Sequence, residues 1–129
     1  MELKDCIPHD KSDTLAIFNA KAVGFPVLNP ILPDLLVWLQ DVNWPVAEEM
    51  ANILSKAGPE IISHISDILH SDDPEWKDGL LTLLAPHLKP EIWTGIRRDV
   101  RRLARRPTAF DKENGIDAVA LNLLACREA

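Results

Sequence analysis

Residues 38–50, WLQDVNWPVAEEM, decide how the rest of the chain is read. Leu32, Leu35, Leu36 and Leu39 lead into the stretch at i, i+3, i+4, i+7, the spacing of one helix face. Asp41-Val42-Asn43 breaks that helix and Pro45 opens another, with Val46, Met50, Ile53, Leu54 and Ala57 as its inward stripe. About 31 or 32 residues later a similar corner recurs in ILHSDDPEWKDGLLTLL, residues 68–84. There too an apolar helix ends, an aspartate-containing corner follows, and a proline and a tryptophan start the next helix. Trp precedes Pro in the first corner and follows it in the second. A period in this range suits a two-helix repeat, somewhat shorter than the usual ~40 residues of HEAT units.

Working outward, ten prolines and five glycines punctuate the chain. Asp13 is placed to cap a helix through TLAIFNAKAV that stops at Gly24. FPVLNP is a linker, and Asn29-Pro30 reads as the cap and first turn of the leucine helix. Gly58-Pro59 separates Pro45's helix from one carrying Ile61, Ile62, Ile65, Ile68 and Leu69 on a broad face. Asp72 or Asp73 caps the next, with Pro74 at its first position, Trp76, Leu80, Leu83 and Leu84 as its stripe, and Pro86 at its end. Pro90 opens a long helix that runs to Pro107. TAFDKENG reads as a loop with at most one turn, and Ile116, Val119, Ala120, Leu123 and Leu124 mark a last helix. The expected architecture is all-α. It is one domain over residues 1–129, with an N-terminal helix at about 13–23 and helix pairs at about 30–57, 59–85 and 90–126. Short connections make sequential helices antiparallel neighbours, and stacked antiparallel pairs build a HEAT-like α-solenoid, a right-handed superhelix.

The bulk numbers bound the function. A chain of 129 residues is long enough for one core and short for two. No apolar run approaches the ~20 residues that span a bilayer, and the polar start MELKDCIPHDKSD lacks a signal-peptide core. A cytoplasmic protein with no membrane partner is expected, with Cys6 and Cys126 as free thiols. The net charge of −6 disfavours general nucleic-acid affinity. Its distribution is uneven, because six of the fourteen basic residues fall within IRRDVRRLARR, residues 96–106.

Two candidate sites emerge. The first is the pair of corners, with Trp38, Asp41, Asn43 and Trp44 in one and Asp72, Asp73 and Trp76 in the other. The leading reading is structural: Asp and Asn cap helix N-termini while the indoles pack across the joint. The functional alternative is a row of anchors for a partner peptide or cation. The second candidate is the arginine ridge. At 100° per residue, Arg97, Arg98, Arg101, Arg102, Arg105 and Arg106 fill about half the wheel. Ile92, Trp93, Ile96, Val100, Leu103 and Ala104 fill the other half. A solvated face paired with the acidic body is the plain reading. Arginine without lysine suits bidentate recognition of carboxylate or phosphate, and a membrane surface is disfavoured because the core needs the apolar face.

Catalytic and metal signatures are missing. His9, His64, His70 and His87 form no ligand spacing, and HExxH, paired CxxC, GxxxxGK[ST], GxGxxG and GxSxG do not occur. No catalytic residue, metal or cofactor is expected.

ILPDLLVWLQDVNWPVAEEMANIL and PEIISHISDILHSDDPEWKDGLLTLL, residues 31–54 and 59–84, resemble the bacterial domain-of-unknown-function family 5071. NWPVA is the most specific part, and IPHDKSD and RRPTAFDKENGID fit the family's ends. The resemblance covers almost the whole chain. It implies a small HEAT-like helical protein and no assigned activity. The arginine density at 97–106 departs from the family pattern. The expected function is therefore a non-enzymatic protein-binding module, as a scaffold or an immunity-like protein. The alternatives are nucleic-acid or other polyanion binding through the basic face of helix 90–106, and an enzyme of unrecognised type.

Overall fold

Proline and capping chemistry account for most element boundaries. The structure, a computed structural model, describes residues 1–128. Eight α-helices follow in order: α1 (Thr14–Val23), α2 (Leu32–Leu36), α3 (Ala47–Leu54), α4 (Ile61–Leu69), α5 (Pro74–Gly79), α6 (Pro90–Arg105), α7 (Ala109–Glu113) and α8 (Ile116–Arg127). Short 3-10 turns occupy Leu3–Cys6, Asn29–Ile31, Val37–Leu39 and Ala85–His87. No strand occurs among the described residues.

Asp13 caps α1, its carboxylate accepting the Ala16 N–H at 3.2 Å, and Gly24 ends that helix at φ 66°. Asp73 caps α5 by accepting the Trp76 N–H at 3.0 Å, and Thr108 caps α7 by accepting the Asp111 N–H at 3.1 Å. Two local expectations need correction. Asn29 caps nothing: it sits inside the 3-10 turn with its Oδ1 buried and unpartnered. Pro45 does not open α3. Asp41 Oδ1 instead accepts the Asn43 N–H at 2.8 Å, a local turn that delays the helix to Ala47. The one turn within TAFDKENG is α7, fixed by the Thr108 cap and by a buried partner for Asp111.

The helix that starts at Pro74 does not end at Pro86 in a single run. Beyond Gly79 it widens, with the Ala85 N–H reaching back to the Leu80 carbonyl, the i→i+5 bond of a π turn. Lys77, Leu80, Leu81 and Leu84 all face inward, while Trp76 and Leu83 are only partly buried. Gly79 is required where this helix meets the chain end of α2: a Cβ there would collide with the Leu39 carbonyl oxygen.

One core joins the helices other than α7, whose one buried residue is Asp111. α2 packs on α3, α4 on α5, and α6 on α8. In addition α2 packs on α4 and α4 on α6, while α3 packs on residues 80–84, which in turn pack on α8. The stripes read from the sequence in α3, α4, α6 and α8 are the faces that fill this core. The outward side of α6 is left to solvent, and the arginines lie on it.

Candidate functional site: an arginine face on α6

α6 is amphipathic throughout its length. Ile92, Trp93, Ile96, Val100, Leu103 and Ala104 are all buried. Glu91 lies in its first turn and Arg102 and Arg105 in its last, the distribution that complements the helix dipole. The six arginines fall in two rows at i, i+4 spacing. One row is Arg97, Arg101 and Arg105, and the other is Arg98, Arg102 and Arg106.

The arginines are not equivalent. Glu128, the residue that ends α8, is clasped by two of them: Arg97 Nε lies 3.2 Å from Oε2 and Arg101 Nη2 lies 3.1 Å from Oε1. Arg102 Nη2 donates to the Leu69 carbonyl at 3.3 Å, capping the end of α4. Arg98, Arg105 and Arg106 make no hydrogen bond or ion pair among the described residues, and all three are exposed. Together with Arg101 and Arg102 they enclose an open concavity of about 530 Å³. Two buried nitrogens, Nε of Arg101 and of Arg102, have no protein partner. The arrangement is a set of guanidinium donors with spare capacity, held on a rigid helix, which suits carboxylate or phosphate oxygens.

Asp99 is the one acid in the run. It faces α4, where Ser66 Oγ donates to its Oδ2 at 2.8 Å and His70 Nε2 lies 2.7 Å from its Oδ1. The residue types are those of a hydrolase triad but the connectivity differs. The carboxylate sits between hydroxyl and imidazole, so the imidazole is not bonded to the hydroxyl as it is in a triad.

The corner residues are engaged by the fold itself. Trp76 Nε1 donates to the Leu36 carbonyl at 2.9 Å, closing a free end of α2 from across the joint. Asp73 caps α5, Asp41 makes its turn, and Asp72 is exposed and caps no helix. Trp38 and Trp44 meet at a ring-centroid distance of 5.5 Å with planes tilted by 55°. Trp38 Nε1 is buried without a partner, and Asn43 is exposed. The Trp76 indole thus braces α2 against α5.

Two features escaped the sequence reading. Lys77 and Asp111 form a buried ion pair, with Nζ 2.8 and 3.0 Å from the two carboxylate oxygens. The signal in the sequence was a lysine in register with an apolar stripe. Arg127 donates to the Pro86 and Leu88 carbonyls at 3.1 and 2.8 Å and lies 5.2 Å over the Trp93 ring. It fixes the end of α8, and so the position of Glu128. Its sequence neighbourhood carries no such signal.

With this geometry in place, comparison with known proteins defines the class. Residues 6–124 match the family described as domain of unknown function (DUF5071). The match covers nearly the whole chain, and the protein belongs to that family. No curated protein matches the chain significantly. No helix among the described residues is long and apolar enough to cross a membrane.

Proposed function

We propose that this chain is a non-enzymatic, HEAT-like helical module of the bacterial cytoplasm that binds an acidic protein partner through the arginine face of α6. One observation carries the reading. Arg98, Arg105 and Arg106 are exposed, their side chains make no hydrogen bond or ion pair among the described residues, and they share a concavity with two further arginines. Unengaged guanidinium groups of one sign attract an anionic surface, speed its approach and set its register. The solenoid part of the proposal draws support from the packing of α2 on α4 on α6, beside α3 on residues 80–84 on α8. Nucleic acid is the alternative occupant. The net charge of −6 opposes it, because a long uniform polyanion would run past the ridge onto the acidic body.

The test is capture from the source organism with tagged full-length protein. It compares wild type with the triple variant Arg98→Glu, Arg105→Glu, Arg106→Glu, whose folding is checked by circular dichroism. These three side chains support no contact in the fold, so the variant should stay folded. An acidic protein held by wild type and lost by the variant is the expected result. A protein retained equally by both would overturn the assignment to the ridge. Nuclease-sensitive material alone would favour nucleic acid.

A further inference from the structure

The ridge already holds one carboxylate, and the way it does so points to the form of the partner. Glu128 ends α8, a helix packed along α6, and its two carboxylate oxygens are divided between Arg97 and Arg101. Those arginines are four residues apart, a rise of about 6 Å. The molecule thus presents a carboxylate at the end of one helix to an i, i+4 arginine pair on another. The same spacing recurs in Arg98–Arg102, Arg102–Arg106 and Arg101–Arg105. Among the described residues, Arg98–Arg102 and Arg102–Arg106 hold no carboxylate and Arg101–Arg105 holds one at Arg101 alone, and all three pairs line the concavity. A helix with acidic residues at i and i+4 spaces its carboxylates by the same rise of about 6 Å, so it can seat successive carboxylates in successive pairs without a change of pitch.

We infer that the partner presents an acidic α-helix, which lies along α6 with its carboxylates between the i, i+4 arginine pairs. We infer also that Glu128 competes with it for the Arg97–Arg101 end of the site. This inference rests on the proposal that the ridge binds an acidic protein partner. Arg101 lies in both an occupied pair and an open one, so release of Glu128 would extend the site towards the start of α6. Glu128 remains well enough exposed, at 27% of its side chain, for a competing acid to displace it.

The test uses full-length protein and labelled 20-residue peptides in fluorescence anisotropy at low salt. One peptide is an alanine-rich helix with glutamates at i, i+4 along one face. A second has the same composition and helicity with the glutamates spread around the helix. A third has the first sequence with a central proline that breaks it. A single-stranded DNA 12-mer is the fourth probe. The in-register peptide should bind at least about tenfold tighter than the second and third, a step that corresponds to 1.4 kcal/mol. The double variant Arg98→Gln, Arg106→Gln should abolish that preference. Glu128→Gln should strengthen binding of the in-register peptide several-fold and leave the preference in place.

Equal affinity for all three peptides would overturn the helical inference while leaving an acidic partner in place, because charge alone would then suffice. Binding of DNA tighter than any peptide would overturn both. No binding of any peptide would overturn the inference, with the capture experiment deciding the broader reading. An unchanged or weakened affinity for Glu128→Gln would remove the competition.

Discussion

The buried pair Lys77–Asp111 gives the sharpest test of how the fold is held. Lys77 reaches in from α5 and Asp111 from α7, and their side chains are 5% and 3% exposed. Nothing else among the described residues accepts from the Lys77 ammonium. Asp111→Ala would leave that ammonium uncompensated inside the core while sparing the Thr108 cap, which uses the Asp111 backbone N–H. Removing one partner of a buried pair costs about 3–5 kcal/mol. At roughly 4 °C per kcal/mol for a chain of this size, the melting temperature should fall by roughly 12–20 °C. The double variant Lys77→Met, Asp111→Leu removes both charges and fills the site with apolar side chains. It should lie within about 1–2 kcal/mol of wild type, on either side, since apolar replacements of buried pairs are often neutral or stabilising. Urea denaturation of the single and double variants supplies the cycle. If the double variant were as unstable as the single one, the loss would be one of packing rather than of an unpaired charge. A cost below about 1 kcal/mol for Asp111→Ala would mean that the ammonium reaches water, and the pair would not be buried in solution.

Three further outcomes follow from individual residues. Gly79→Ala should destabilise by about 3 kcal/mol or more, because the new methyl group meets backbone and not a side chain that could move; a thermal melt equal to wild type would show that α5 and the 37–39 turn sit further apart. The Asp13 carboxylate accepts the His9 backbone N–H, contacts the His9 ring and accepts the Ala16 N–H, and these bonds hold it below the usual carboxylate range. Its contribution is therefore complete above the unfolded carboxylate pKa of about 3.9 and fades as pH falls through the lower folded value. Asp13→Ala should cost about 1 kcal/mol at pH 7, with the gap closing in acid; a gap that grows in acid would reverse the sign. Cys126 is exposed and Cys6 is buried, with burial pushing the Cys6 thiol up. Alkylation of the native protein at neutral pH should label Cys126 alone, read by mass spectrometry, and urea should expose the second thiol.

The helical class was legible because α3, α4, α6 and α8 each bury the face that their 3.6-residue periodicity marks. Family membership was legible in NWPVA and the corner that follows it. What escaped has definite causes. The stripe of the fifth helix was assigned as Trp76, Leu80, Leu83 and Leu84, whereas Lys77, Leu80, Leu81 and Leu84 turn inward. Both sets have helical spacing, and the buried one was passed over because its first member is a lysine. Asp111 looked like a loop residue because its partner is 34 positions away, and Asn29 and Pro45 looked like helix starts because cap preferences were applied where 3-10 and Asx turns intervene.

The two candidate sites were equally visible as composition, and the structure separates them by the state of their polar groups. In the corners, the Asp73 carboxylate, the Asp41 carboxylate and the Trp76 indole each have a protein partner, so a ligand there would first have to displace a bond that holds the joint. Such a bond is worth about 1 kcal/mol net, but leaving its buried partner unsatisfied costs more. On α6 the balance is opposite. Among the described residues, the side chains of Arg98, Arg105 and Arg106 have no protein bond to give up when an anion arrives. The Arg97–Glu128–Arg101 clasp is an exposed ion pair of the kind that contributes at most about 1 kcal/mol. Displacing Glu128 is therefore cheaper than opening a corner. A wheel drawn from the sequence shows where the charges lie but not which of them are already in use. That difference, and not the number of arginines, makes the α6 face the better binding surface.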